Sequence, residues 1–167
     1  MRIFNASPLI LILEEINEPD LLEKLFQLDE VLFVPERVNL EVSSQKARAN
    51  LEKLLKMGNL KICKNCNKDT FNFFQRRFPM LDDGELTVIS LAYEYKDKSC
   101  FVIIDEERGR EVAKKLSLNV RGAFGLILEL YNKQIIDKER LCSTCRKIDK
   151  SNFHINFKEI GYEWVVK

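Results

Sequence analysis

A single histidine, His154, serves the whole chain of 167 residues. That scarcity excludes a metal centre built on several imidazoles. No G-x-S-x-G turn stands ready to present a serine, so a Ser-His-Asp triad is excluded with it. Glycine is sparse as well, at six residues, and none of them forms a Gly-rich phosphate loop. Long apolar runs are missing: the longest early one, Leu9 to Leu13, is closed by Glu14 and Glu15. With no small-residue cleavage pattern after it, neither a membrane span nor a secretory signal is expected. Charge of one sign is also lacking. The net charge of +1 leaves no global footprint for nucleic acid and confines any such binding to local patches. Repeats, low-complexity segments and linkers are absent. The expectation is one domain, 1–167, in the cytoplasm, with its five cysteines as reduced thiols or metal ligands rather than disulfides.

What is present is an ordinary core composition, 46% hydrophobic, arranged in alternating strand and helix patterns. The clearest strand is Cys100 to Ile104, apolar without a break and ending at Asp105. An unbroken run of this kind suits a strand buried on both faces. Met1 to Asn5 and Val31 to Val34 read as further strands, the second stopped by Pro35; Leu60 to Cys63 and Leu118 to Arg121 complete the set. Ser7 and Pro8 read as the cap and first residue of a helix. Amphipathic helices follow around Leu21 to Phe26, Val38 to Val42 and Ala47 to Leu55. A Phe-rich helix spans 67–79, and Asp82-Asp83-Gly84-Glu85 opens an apolar one. Others follow Asp105, Gly122 and Asp137. This alternation predicts an α/β three-layer sandwich around a parallel sheet of four to five strands.

Four residues then fall at strand ends or on adjoining helices: Asn5, Glu41, Glu85 (with Asp83 beside it) and Asp105. In open parallel sheets ligands bind beyond the carboxyl ends of the strands. Plainer readings exist for each. Asp105 also fits as a solvated acid starting the next helix, the acids at 82–85 as partners of a helix N-terminus, and Glu41 as a half-exposed helical glutamate. Taken together, a set of hard oxygen ligands suits Mg²⁺ or Mn²⁺, which could polarise a phosphodiester.

The stretches Asn-Ala-Ser-Pro-Leu-Ile from Asn5, Asp-Gly-Glu-Leu-Thr-Val-Ile-Ser-Leu-Ala from Asp83, Ile-Ile-Asp-Glu-Glu-Arg-Gly-Arg-Glu-Val-Ala from Ile103 and Gly-Ala-Phe-Gly-Leu-Ile-Leu from Gly122, with Glu41 after the second strand, resemble the PIN-domain superfamily. More narrowly they resemble its PIN-like prokaryotic subgroup related to the toxin half of toxin–antitoxin pairs. The resemblance runs from Ile3 to about Ile155. It implies a metal-dependent ribonuclease acting on RNA, with Asn5, Glu41, Glu85 and Asp105 as the four acid positions that hold the metal. It also implies that Ser7 orients the first ligand, with Glu106 as an alternative for the last, an antitoxin protein as partner and a homodimer. Two positions depart from the pattern: Asn5 is neutral where nucleases of this fold usually carry Asp, and Ala123 replaces a common Thr.

Basic residues near the expected acidic edge are Arg108, Arg110, Lys114 and Arg121, with Arg76 and Arg77 as a second group. They fit a phosphate backbone or simply solvated helix faces. Cys63-x-x-Cys66 and Cys142-x-x-Cys145 have the paired spacing of structural zinc sites, although far apart in sequence. Ordinary thiols are the other reading, since Cys142 and Cys145 share a helix side with Leu141 and Ile148. His154 is expected to be a surface or packing residue. Three functional readings follow: an active Mg²⁺- or Mn²⁺-dependent endoribonuclease, a catalytically silent PIN-like module that binds protein or RNA, and a zinc-stabilised adaptor.

Overall fold

The computed structural model describes residues 1–28, 31–96, 100–153 and 155–167. Five short strands form one parallel sheet: β1 (Arg2–Phe4), β2 (Leu32–Pro35), β3 (Leu60–Cys63), β4 (Phe101–Ile103) and β5 (Asn119–Arg121). They lie in the order β3-β2-β1-β4-β5, and every neighbouring pair is parallel. β1 is central, flanked by strands whose residues are buried in turn: Ile3 and Phe4 beside Leu32 and Val34 on one side, Val102 and Ile103 on the other. Of these, the run from Cys100 to Ile104 is the one that the sequence marks as a doubly covered strand. Parallel strands need crossover connections, and helices supply them.

The helices are α1 (Ala6–Ile10, continued by a wider turn over Leu11–Glu15), α2 (Asp20–Leu25), α3 (Glu36–Glu41), α4 (Gln45–Lys56), α5 (Lys68–Arg77), α6 (Asp83–Glu94), α7 (Glu107–Lys115), α8 (Ala123–Asn132) and α9 (Lys138–Asp149). Around the sheet α6 packs with α3, α5 and α7, α8 with α2 and α9, and α4 with the wide turn of α1. α6 is the most enclosed: its residues from Gly84 through Ala92 are all buried. That explains why its sequence is apolar nearly all round rather than along one stripe.

One helix start differs from expectation. Asn5, not Ser7, is the N-cap of α1, and its side chain bonds none of the helix amides. The Ser7 hydroxyl is instead engaged by Glu106 across the sheet edge. At the opposite end of β1 a charged lock joins three segments. Glu129 Oε2 accepts from Arg2 Nη1 at 2.7 Å and pairs with Arg121, and both guanidiniums lie over the Phe101 ring, 5.6 and 4.8 Å from its centre. Burial works to raise the Glu129 carboxyl, but the bond and charge of Arg2 and the charge of Arg121 outweigh it and hold it below the usual range.

Candidate functional site

The strand order dictates where separated residues meet. Connections leave the central β1 in one direction to β2 and β3, and the chain returns on its other side as β4 and β5. The carboxyl ends of β1 and β4 are therefore the point where the winding reverses, which is where open sheets leave a crevice. The Asn5 amide donates to the Ile103 carbonyl at 2.9 Å, so the chain ends of β1 and β4 are tied side by side. Asn5 leaves one strand and Asp105-Glu106 leaves the other.

Three oxygens converge beside them. A Cβ placed on Gly84 would stand 2.7 and 2.9 Å from the two carboxylate oxygens of Glu41 and 3.1 Å from Asn5 Oδ1. Only a residue without a side chain at position 84 leaves room for this approach. Asn5 Oδ1 is buried and accepts no hydrogen bond, while Asn5 Nδ2 donates to Glu106 Oε2 at 3.2 Å. The Ser7 hydroxyl donates to the other oxygen of Glu106. The Asn5 amide thus spends its donor on one carboxylate and turns its bare acceptor towards another. A buried acceptor without a partner is costly, and a carboxylate nearby adds negative charge, so this corner calls for a proton or a cation. The Glu41 carboxyl is pushed up, first by burial, then by Asp82, against a lowering pull from Arg37, with Glu106 and Asp83 raising it further.

Glu85 and Asp105 stand at the margins of this corner. Asp82 caps α6: its Oδ1 accepts from the Glu85 amide at 2.8 Å, and Glu85 Oε2 accepts from the Asp82 amide at 3.0 Å, a reciprocal capping box. Glu85 Oε1 is buried without a hydrogen bond and is turned to α7, where a Cβ on Gly109 would come within 2.6 Å of it. Its carboxyl is raised, mainly by burial; the backbone at Asp82 lowers it, Asp82 and Glu106 raise it, and the nearby Gly109 amide lowers it without completing a bond of good geometry. Asp105 Oδ1 accepts from the Ala123 amide at 2.8 Å and so ties the end of β4 to the start of α8. Its Oδ2 is buried and unbonded. Burial pushes the Asp105 carboxyl up to about 6, against a lowering by the Ala123 bond; Glu106 raises it and Arg110 lowers it. Its neighbour Glu106 therefore faces Asn5, and Asp105 faces α8.

Among the described residues no three His, Cys, Asp or Glu side chains stand close enough together to hold an ion. The set on offer for a hard cation is two carboxylates, Glu41 and Glu106, with the Asn5 side-chain amide between them, its oxygen on the Glu41 side. That composition fits Mg²⁺ or Mn²⁺, which commonly take one or two carboxylates and complete their shell with water and substrate phosphate. It does not fit zinc, which prefers nitrogen and sulfur.

The paired cysteines do not form a zinc centre. Cys63 ends the edge strand β3, whereas Cys142 and Cys145 ride on α9, which packs on α8, and no three of these cysteines come together. All five cysteines are free thiols. Burial pushes the thiols of Cys63 to about 11 and Cys145 to about 12. His154 lies outside the described residues.

Of the expected phosphate-binding cations, Arg110, Lys114 and Arg121 line a groove of about 1020 Å³ together with Asp105 and Glu106. Arg108 is exposed and stands outside it. Arg121 is committed to Glu129, as described above. Arg76 and Arg77 border a separate shallow hollow beside Phe73. Sequence reasoning placed Asp82 only at a helix start, not in the site, and missed Arg37. Asp82 carries a visible signal, an acid three residues before Glu85 at a helix start. Arg37 lies one helical turn before Glu41 and makes an ion pair with Asp83, Nη1 to Oδ2 at 2.8 Å.

No helix among the described residues is long and apolar enough to cross a membrane. A family model described as a PIN domain matches residues 1–161. No curated protein matches the chain.

Proposed function

Because the chain belongs to the PIN-domain family and so carries a nuclease-type fold, we propose that it is a metal-dependent endoribonuclease, the toxin of a toxin–antitoxin pair. The supporting observation is the corner at Gly84, where both Glu41 oxygens and the unbonded Asn5 Oδ1 crowd one spot while Glu106 holds the other end of the same amide. Glu41, Glu106 and Asn5 would hold Mg²⁺ or Mn²⁺. When bound, the cation supplies Lewis acidity towards a phosphodiester.

The remaining groups act on geometry and protons. Ser7 fixes the Glu106 carboxylate from the α1 side, so Asn5 and Glu106 are held as one unit. Asp82 and Glu85 pin the start of α6 and with it the bare backbone of Gly84 against Glu41. Asp105, raised to about 6 by burial, is poised to hold or release a proton near neutral pH in the lining of the Arg110 groove. With the neutral Asn5 the site offers two carboxylates and an amide oxygen, which favours a weakly held ion that arrives with substrate phosphate.

The test is cleavage of single-stranded RNA by the purified protein with Mn²⁺, with melting followed in the same metal. Activity that disappears in Glu41→Gln and Glu106→Gln, together with a metal-induced rise in melting temperature, supports the reading. Absence of both effects in the natural sequence would point to the silent, partner-binding module, a reading that the scarcity of grouped carboxylates favours. Co-purification with a small protein encoded alongside it, and a dimeric mass, would support the toxin role.

A further inference from the structure

Arg37 stands on the first turn of α3, on the Glu41 side of the acidic corner. Its backbone amide donates to Asn65 Oδ1 at 3.1 Å, which fixes its Cα. Its guanidinium lies over the Phe71 ring, 4.9 Å from the centre. Nη1 is 2.8 Å from Asp83 Oδ2, yet it has no partner in hydrogen-bond geometry. The side chain is 39% exposed and its Asp83 partner 59%, while Nη1 itself is buried, so a ligand would meet the opposite edge of the guanidinium.

A bland account is available: a half-exposed ion pair with a stacked ring. Such pairs contribute little on their own. It does not explain why a planar cation should be braced on one face and held by its backbone while its inner N–H lacks a good acceptor. An aromatic ring beneath a guanidinium leaves the edge N–H groups directed outward, the presentation suited to a phosphate. Need for a cation there follows from charge. Glu41, Asp82, Asp83 and Glu106 all act on the same corner, so an anionic chain approaching it meets repulsion unless a cation stands at the rim. Arg110 does this on the Asp105 side. Arg37 is the cation felt by Glu41.

We propose that Arg37, braced by Phe71 and Asp83, holds a phosphate of the RNA chain at the Glu41 rim of the acidic pocket. This rests on the ribonuclease reading above and adds a binding residue to it. On RNA arrival the outer edge of the guanidinium takes the phosphate oxygen, while Asp83 on Nη1 and the Phe71 ring keep its plane in place.

The experiment measures binding of a labelled single-stranded RNA of mixed sequence in EDTA, across a potassium chloride series, and cleavage of the same RNA in Mn²⁺. Arg37→Ala is expected to raise Kd about tenfold and to flatten the salt dependence of log Kd by roughly 0.7, one phosphate contact fewer on a single strand. Arg37→Lys keeps the slope and recovers part of the affinity. Phe71→Leu raises Kd a few fold with the slope unchanged, and KM moves more than kcat in all three. Melting temperatures of the variants report whether they fold, and Arg37→Lys preserves the test if Arg37→Ala does not. If the natural sequence binds and cleaves RNA while Arg37→Ala matches it in Kd and slope, the Arg37 assignment is overturned and the ribonuclease reading stands. If the natural sequence neither binds nor cleaves, both fall.

Discussion

Replacing Gly84 with alanine sets two effects of one methyl group against each other. In a helix, alanine is favoured over glycine by about 0.5–1 kcal/mol, because glycine loses more backbone freedom on folding. Gly84 lies near the start of α6, so its share is at the lower end of that range. Against this, the new Cβ would stand 2.7 and 2.9 Å from the Glu41 carboxylate oxygens and 3.1 Å from Asn5 Oδ1. Glu41 is exposed and ends its helix, so its carboxylate can swing outward at little cost to the fold. Asn5 cannot follow so easily, since it is buried and bonded to Glu106. The expected protein is as stable as the parent without metal, or more stable by a few tenths of a kcal/mol. What it loses is the approach of Glu41 to Asn5. Thermal melts with and without Mn²⁺ separate the two effects. At a hundredfold excess over Kd a bound ion stabilises by about 2.7 kcal/mol, which for a chain of this size is roughly 5–10 °C in Tm. The parent should show a rise of that order and Gly84→Ala only a small fraction of it, with cleavage lost in parallel. A variant that folds and keeps both the metal-induced rise and the activity would refute the placement of the cation at this corner.

The pH dependence of stability should carry the signature of Asp105. Its folded carboxyl is raised from 3.8 to about 6, so the native state binds the extra proton. Stability is therefore greatest below pH 4 as far as this group is concerned, falls between pH 4 and 6, and is flat above, a total of ~3 kcal/mol. Asp105→Asn should flatten that segment in urea melts at several pH values and be more stable than the parent at pH 7, while cleavage falls; an unchanged pH profile would contradict it. Glu129 has the opposite sign: its lowered carboxyl contributes stability above its ordinary value, lost as pH falls through the folded one. Removing it as Glu129→Ala takes the carboxylate from the enclosed Arg2 and from Arg121, with an expected loss on the order of 3 kcal/mol by denaturant melts. Finally, metal analysis of the purified protein should find no stoichiometric zinc, and Cys145, its thiol raised to about 12, should resist alkylation at pH 8 until the chain is unfolded.

Much of the architecture is legible in the chain because short-range physics writes it there. Unbroken apolar runs mark the buried strands, Pro35 stops one of them, and Asp82 with Glu85 announces the start of α6. The family resemblance, carried by Asn5, Glu41, Gly84-Glu85 and Asp105, also stands in the sequence, and the match over residues 1–161 bears it out. The sequence cannot say which side of the sheet each acid faces. Adjacent residues leaving a strand point in opposite directions. One of Asp105 and Glu106 had to turn towards β1 and the other away, and nothing local decides which. Tertiary packing gives Glu106 to Asn5 and Ser7 and gives Asp105 to the Ala123 amide. The same holds for the cysteine pairs, whose spacing suggests a shared metal although the fold brings no three of them together. Spacing along a chain fixes which groups can share a helix face; only the order of strands fixes which groups can share an ion.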